Sequence, residues 1–138
     1  MDTLRKTTTP VADVMHRGVV SCPAWTPLRG VAQLMAHNRI HCVVVFDYGS
    51  EADEDRNLYG IVTDRDVAGA FAAGALAECD AGSVAADPVL TAYPDDDVGC
   101  AARLLADHGA SHLVVIDRGS RRPLGVLSTL DLARYLSR

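Results

Sequence analysis

The chain has 138 residues, 49% of them hydrophobic and only 5% aromatic, with a formal net charge of -5. That is enough apolar material for a core built from Val, Leu, Ala and Ile, and it excludes global disorder. The acidic balance argues against a nucleic-acid binder, which needs a basic surface to neutralise phosphates. No run approaches the roughly 20 apolar residues of a membrane span.

Residues 1–9 carry two basic residues and no apolar stretch, so they read as a tail rather than a secretory leader, and a cytoplasmic location is expected. From residue 10 the elements follow in a regular series. A lead-in helix, "VADVM", precedes a short strand around Val19–Ser21. An amphipathic helix follows, with Leu28, Val31, Leu34 and Met35 at helical spacing; Thr26 is its expected cap and Pro27 its first residue. The run "CVVVFD" has the length and β-branching of a buried strand, and after a polar turn "YGIVT" supplies another. "DRDVAGAFAAG" closes this half as a helix, and residues 76–82 read as a linker.

The series then repeats. "AGSVA" is a second lead-in helix, and a strand lies around Val89–Thr91. Val98, Ala101, Leu104 and Leu105 mark a second amphipathic helix, begun by the acidic "DDDV", whose aspartates suit a helix N-terminus better than a metal. "HLVVID", "LGVLS" and "TLDLARYLS" complete the half. A shift of 70 residues lays Val14, Val19, Ala32, Leu34, Ala36, Val44, Val45 and Asp47 on Val84, Val89, Ala102, Leu104, Ala106, Val114, Val115 and Asp117. The shift then becomes 65, and the five extra residues fall in the acidic run "YGSEADEDRN", where a solvent-facing turn tolerates insertion. Two β-α-β-β-α repeats, residues 10–75 and 83–138, are therefore expected, an α/β (α+β) fold in which neither half has much core of its own.

Four cysteines (Cys22, Cys42, Cys79 and Cys100) form no CxxC pair and read as small buried hydrophobes. His37 and His41, like His108 and His112, straddle a helix end and a strand start, which breaks the one-face geometry of a metal pair. No metal site is expected.

The chemistry concentrates where the last strand of each half meets its closing helix. Thr63-x-x-Asp66 and Ser128-x-x-Asp131 have the form of a capping box, worth about 0.5–2 kcal/mol. The same geometry presents unpaired N–H groups, a hydroxyl and a carboxylate to a ligand, and a carboxylate can accept from both hydroxyls of a ribose. Gly60 and Gly125, three residues before the hydroxyl, either relieve close packing or make room for a ligand. Arg65 puts a cation in the first copy, where the second has Leu130, so the first is expected to take the more highly charged ligand. Catalysis is disfavoured: the motif holds no histidine or lysine to activate the hydroxyl, and Asp64 and Asp66, two apart on a helix, diverge.

"GIVTDRD" and its echo "GVLSTLD", each closing a β-α-β-β-α unit, resemble the signature of the CBS domain family, and residues 10–138 as a whole resemble one tandem pair, a Bateman module. The resemblance implies two repeats packed through their sheets around a pseudo-two-fold axis, with clefts for adenosine-containing ligands such as AMP, ADP, ATP or S-adenosylmethionine. It implies ribose clasps at Thr63 and Asp66 and at Ser128 and Asp131. It implies adenine-lining segments at Ser21, Cys22 and Pro23, at Thr91, Ala92 and Tyr93, and at the central strand starts His41, Cys42, Val43 and Ser111, His112, Leu113. Arg65, His41 and His112 are the candidate phosphate contacts. The expected protein is a stand-alone regulatory module, not an enzyme, with no required cofactor and an adenine nucleotide as regulatory ligand. It would form a homodimer, through apolar closing-helix residues such as Phe71, Leu132, Tyr135 and Leu136, and act on a partner protein. The competing expectation is a structural dimer whose clefts are empty.

Overall fold

Strand β1 (His16–Arg17) opens the regular structure, followed by β2 (Ser21–Pro23), α1 (Leu28–Asn38), β3 (Cys42–Tyr48), β4 (Arg56–Thr63), α2 (Asp64–Ala72), α3 (Ala81–Val84), β5 (Thr91–Ala92), α4 (Val98–His108), β6 (His112–Ile116), β7 (Pro123–Ser128) and α5 (Thr129–Leu136). Short 3₁₀ turns occupy Val11–Asp13 and Leu76–Glu78. This is a computed structural model and describes residues 9–48, 56–85 and 89–138; the five-residue length difference between the repeats lies outside them.

The strands form two sheets, ordered β2-β3-β4 and β1-β7-β6-β5, with β2–β3 and β5–β6 parallel and the remaining pairs antiparallel. Each repeat therefore has the expected β-α-β-β-α order. The central strands are buried on both faces, which is why they read as continuous apolar runs rather than alternating ones. On one face Val43 and Val45 join Val62, Leu28, Val31 and Met35 in a core; on the other Val44, Phe46 and Ile61 are buried as well. In the second sheet Leu113, Val115 and Leu127 pack with Val98, Ala101 and Leu105.

The compact units do not follow the repeat boundaries. One spans 19–89; the other joins Leu90–Arg138 to the N-terminal segment that ends at Gly18. The first lead-in therefore completes the second repeat. Val98 N–H donates to the Thr9 carbonyl (2.9 Å), Val11 N–H to Asp96 (2.8 Å) and Ala12 N–H to Pro94 (2.9 Å). Val11 is fully buried beside Val98, Ala101 and Leu105, and β1 adds an edge to β7. Reciprocally, residues 76–82, expected to be a linker, are packed into the first unit. Ala81 is fully buried against its core, Ala81 N–H donates to Thr26 (2.8 Å), and Asp80 and Ser83 form a capping box for α3.

Local expectations shift in three places. The first strand of each repeat lies about two residues later than read, at β2 and β5. Thr26 does not cap α1: Pro27 occupies the cap position, and the Leu28 N–H donates instead to the Cys79 carbonyl (3.1 Å) from the segment that packs alongside. Asp97 does cap α4, accepting from Gly99 N–H (3.3 Å), as the acidic start predicted. Both amphipathic helices end in the left-handed region, α4 at Gly109 (φ 58) and α1 at Arg39 (φ 54), a conformation that ordinarily selects glycine.

Candidate functional site

Strand β4 runs into α2, and β7 into α5, without an intervening residue. Thr63 and Ser128 thus stand at once at the end of a strand and at the N-cap of a helix. Both carry complete capping boxes. The Thr63 N–H donates to Asp66 Oδ2 (2.8 Å), and Thr63 Oγ1 donates to the same oxygen (3.0 Å) while accepting from the Asp66 N–H (3.4 Å). In the second copy Ser128 N–H donates to Asp131 Oδ2 (2.9 Å) and Ser128 Oγ accepts from Asp131 N–H (3.0 Å). In each carboxylate the cap occupies Oδ2, and Oδ1 makes no hydrogen bond among the described residues.

Register brings the start of the central strand to each clasp. Cys42 pairs with Thr63 and His112 with Ser128, and the junction is tied by a shared bond: Asp64 N–H to the His41 carbonyl (3.0 Å), Thr129 N–H to the Ser111 carbonyl (2.9 Å). The flanking side chains differ. His41 Nδ1 lies 2.8 Å from Asp64 Oδ2, an exposed pair absent from the second copy, where Ser111 and Thr129 stand. His112 Nδ1 lies 2.7 Å from Ser111 Oγ instead. Arg65 is exposed and forms no ion pair among the described residues. Asp64 offsets its charge, so the two clasps differ less in net charge than Arg65 and Leu130 alone suggest.

The first-strand segments are brought to the clasp only in part. Ser21 pairs with Val44, two residues along β3 from Cys42, whereas Pro23 pairs with Phe46, four residues along. At about 3.3 Å per residue, Pro23 is roughly 13 Å down the strand from the Cys42–Thr63 pair. The same parallel register sets Thr91 opposite Val114 and carries Tyr93 past Val115, away from Ser128. The Tyr93 ring is covered by the Arg118 guanidinium, 3.9 Å from its centroid; Arg118 is itself held by Asp95 (3.1 Å), whose carboxyl this bond lowers below the usual range. The residues nearer the clasps are those just before the strands: Val20 and Leu90 carbonyls accept from Val44 and Val114 N–H (both 2.9 Å). Strand direction, which single-sequence periodicity does not report, was the missing signal.

Cys22, Val43, Ala92 and Leu113 have their side chains in the hydrophobic cores, so only their backbones can face a ligand. Cys42 is also buried; burial first, then the negative charges of Asp66 and Asp64, push its thiol up to about 12. Burial likewise raises the Cys22 thiol. At Gly125 the glycine serves close packing: a Cβ there would fall on the carbonyl oxygen of His16 and lie 3.2 Å from Met15 sulfur, so β1 lies directly across it. Among the described residues no group of three or more His, Cys, Asp or Glu is placed to hold a metal ion, and no helix is long and apolar enough to cross a membrane.

The CBS domain family model matches residues 11–73 and 81–138. In structure, the chain is similar to the CBS domain pair of a protein solved in complex with 5-methylthioadenosine and S-adenosyl-L-methionine: TM-score 0.81, 22% identity, covering 95% of this chain and 98% of that one. It is also similar to a CBS domain protein from Pyrobaculum aerophilum complexed with AMP, with TM-score 0.76, 28% identity, and coverage of 94% and 97%. In sequence it is 30% identical over 131 residues to a homoserine O-acetyltransferase of Methanococcoides burtonii, covering 94% of this chain and 25% of the relative. The chain spans about a quarter of the length of the curated relatives it matches.

Proposed function

The chain belongs to the CBS domain family, and from that premise we propose that it is a non-catalytic regulatory module that binds adenosine-containing ligands at its two T/S-x-x-D junctions. The observation that carries this reading is the division of labour within each aspartate. One carboxylate oxygen fixes the helix start, and the other is left to accept from a ribose diol, with the exposed backbone of a strand-to-helix junction beside it. The similarity to an AMP-complexed family member at 28% identity supports an adenosine ligand. Thr63 and Asp66, and Ser128 and Asp131, are the ribose clasps; His41, Arg65 and His112 stand at the phosphate end; Ser21 and Thr91 with the backbone of Val43 and Leu113 flank the base. Ligand binding then alters the module's conformation or its self-association, and through that a partner protein.

Calorimetric titration with AMP and with ATP tests the reading. Asp66→Asn and Asp131→Asn remove a charge-assisted hydrogen bond, and each is expected to weaken binding at its own junction by about 10- to 100-fold while the helix start persists. Wild-type protein that takes up neither nucleotide at millimolar concentration would overturn it and leave the structural-dimer reading. That second reading draws on exposed apolar residues of the closing helices: Phe71 at 71% and Leu136 at 77% exposure. Leu132 and Tyr135, expected in the same surface, instead turn inward onto the core, Tyr135 with its hydroxyl 2.7 Å from Thr9 Oγ1.

A further inference from the structure

The turn that joins β6 to β7 is strongly basic in an acidic chain. Arg118, Arg121 and Arg122 bring three of the 13 lysines and arginines within five positions, while the whole chain carries a net charge of -5. Hydrogen bonds fix the shape of this turn. Asp117 N–H donates to the Arg122 carbonyl (2.8 Å) and Arg121 N–H to the Asp117 carbonyl (2.8 Å). Asp117 Oδ2 accepts from Gly119 N–H (3.1 Å), Ser120 N–H (2.7 Å) and Ser120 Oγ (2.9 Å). Arg118 crosses the Tyr93 ring to Asp95 (3.1 Å) and so ties the turn to the segment that precedes α4.

Arg121 and Arg122 are exposed and enter no ion pair among the described residues. Arg17 shares both properties. It stands on β1 opposite Gly125, three positions along β7 from Arg122, or roughly 10 Å at the rise of a strand. Arg121 has a φ of 61, a left-handed backbone that glycine fills more readily. The fold does not require cations here: the corresponding turn of the first repeat, residues 49–55, holds Glu51, Asp53, Glu54 and Asp55 and no lysine or arginine. The carboxylates around the basic turn are already engaged, Asp95 by Arg118, Asp96 by Tyr93 N–H (2.8 Å) and Asp117 by the turn itself. The guanidinium groups of Arg17, Arg121 and Arg122 are thus left to anions from outside the chain.

We propose that this basic turn, flanked by Arg17, docks an acidic segment of a partner protein. A guanidinium pairs with a carboxylate through two parallel N–H···O bonds, so the preference is geometric as well as electrostatic. Nucleic acid fits less well. Its affinity comes from many phosphates neutralised in a row, and Asp95 and Asp96 beside the turn repel a continuous polyanion. A short segment with a few carboxylates meets the arginines without crossing those aspartates. The surface is also separate from the T/S-x-x-D junctions: β6 pairs with Ser128 at its His112 end and enters the basic turn after Ile116, at the other end of the strand. The inference is therefore independent of what the junctions bind.

Fluorescence anisotropy with a fluorescein-labelled hexaglutamate peptide, on the full chain without nucleotide, tests it. In low-salt buffer a Kd of about 10⁻⁴ M or tighter is expected, and raising the salt to about 0.15 M should weaken it by about threefold or more. Arg121→Glu combined with Arg122→Glu should weaken binding by about tenfold or more. Arg103→Glu combined with Arg134→Glu makes the same change in net charge on α4 and α5, and should alter binding by less than about twofold. Arg121→Gly keeps a residue suited to the backbone there, and should weaken binding by about threefold or more with the circular dichroism spectrum unchanged. Four results would each overturn the proposal: no peptide binding by the wild type in low salt, equal losses in the two double variants, no loss in Arg121→Gly, or tighter binding of a labelled hexathymidylate than of the peptide.

Discussion

Gly125→Ala adds one carbon where the chain has no room for it. The new Cβ would fall on the His16 carbonyl oxygen and press on Met15 sulfur at 3.2 Å. Both neighbours belong to a segment with little freedom to give, since β1 is held by the His16–Val126 and Arg17–Gly125 pairs and by the Gly18 N–H to Leu124 carbonyl bond of 2.8 Å. The cheapest response is to release β1. That loses about two backbone hydrogen bonds at about 1 kcal/mol net each, together with part of the burial of Met15 and Val14. The expected destabilisation is about 2–4 kcal/mol, a large part of the stability of a small domain. Gly69→Ala is the matched control: it lies in mid-helix on α2 with nothing within 4 Å of its would-be Cβ, so the same methyl should stabilise by about 0.5–1 kcal/mol. Urea denaturation followed by circular dichroism reads both. Equal stability of Gly125→Ala and wild type would refute the claim that β1 lies fixed across β7.

Thr63→Ala and Ser128→Ala remove the hydroxyl half of each capping box, and each should cost about 1 kcal/mol in the same urea assay. Arg39→Gly relieves a left-handed arginine but loosens the unfolded chain, and a net gain of about 0.5 kcal/mol is expected from thermal unfolding. The Cys42 thiol, raised from 9.0 to about 12 by burial, then Asp66, then Asp64, makes the folded state hold a proton that the unfolded state has released. Stability is therefore lost as pH rises from about 9 towards 12, by about 1.4 kcal/mol at pH 10, and Cys42→Ala should lack that part of the slope. Under native conditions at pH 8, iodoacetamide should modify exposed Cys100 and spare Cys42 and Cys22, as intact-mass spectrometry would show.

The duplication, the order of elements and both capping boxes were legible in the sequence because each is local: Thr63 and Asp66 are three residues apart, and a helix start is enough to bring them together. Pairing over long separations was not legible. Nothing in "VADVMHR" says that its two-residue strand joins Val126 and Gly125 rather than the neighbouring repeat, and a close backbone approach leaves only a glycine as its trace. Thr26 looked like a cap because its residue type suits one, yet the distant Cys79 carbonyl had already taken the first N–H of α1. The resemblance implies that Pro23 and Tyr93 line the adenine, whereas the parallel register, set by distant pairing, holds them farther from the Thr63 and Ser128 junctions than Ser21 and Thr91. The His41–Asp64 pair joins residues 23 positions apart, a separation that no local motif bridges.

The exchange of lead-in segments bears on how the chain reaches its native state. Val11 and Val14 belong to a core whose remaining buried members, from Ala92 to Leu127, come some eighty residues later or more, so the earliest segment must stay unpaired until nearly everything else has been made. Closing so long a loop is entropically unfavourable and slows folding. Yet Thr9 and Tyr135 touch at 2.7 Å, so the two ends of the described chain meet. Joining them by a short bridge and opening the chain between Gly18 and Val19 would make each unit one unbroken stretch of sequence, with the same contacts and far shorter loops. Such a circular permutant should fold faster than the natural order at comparable stability.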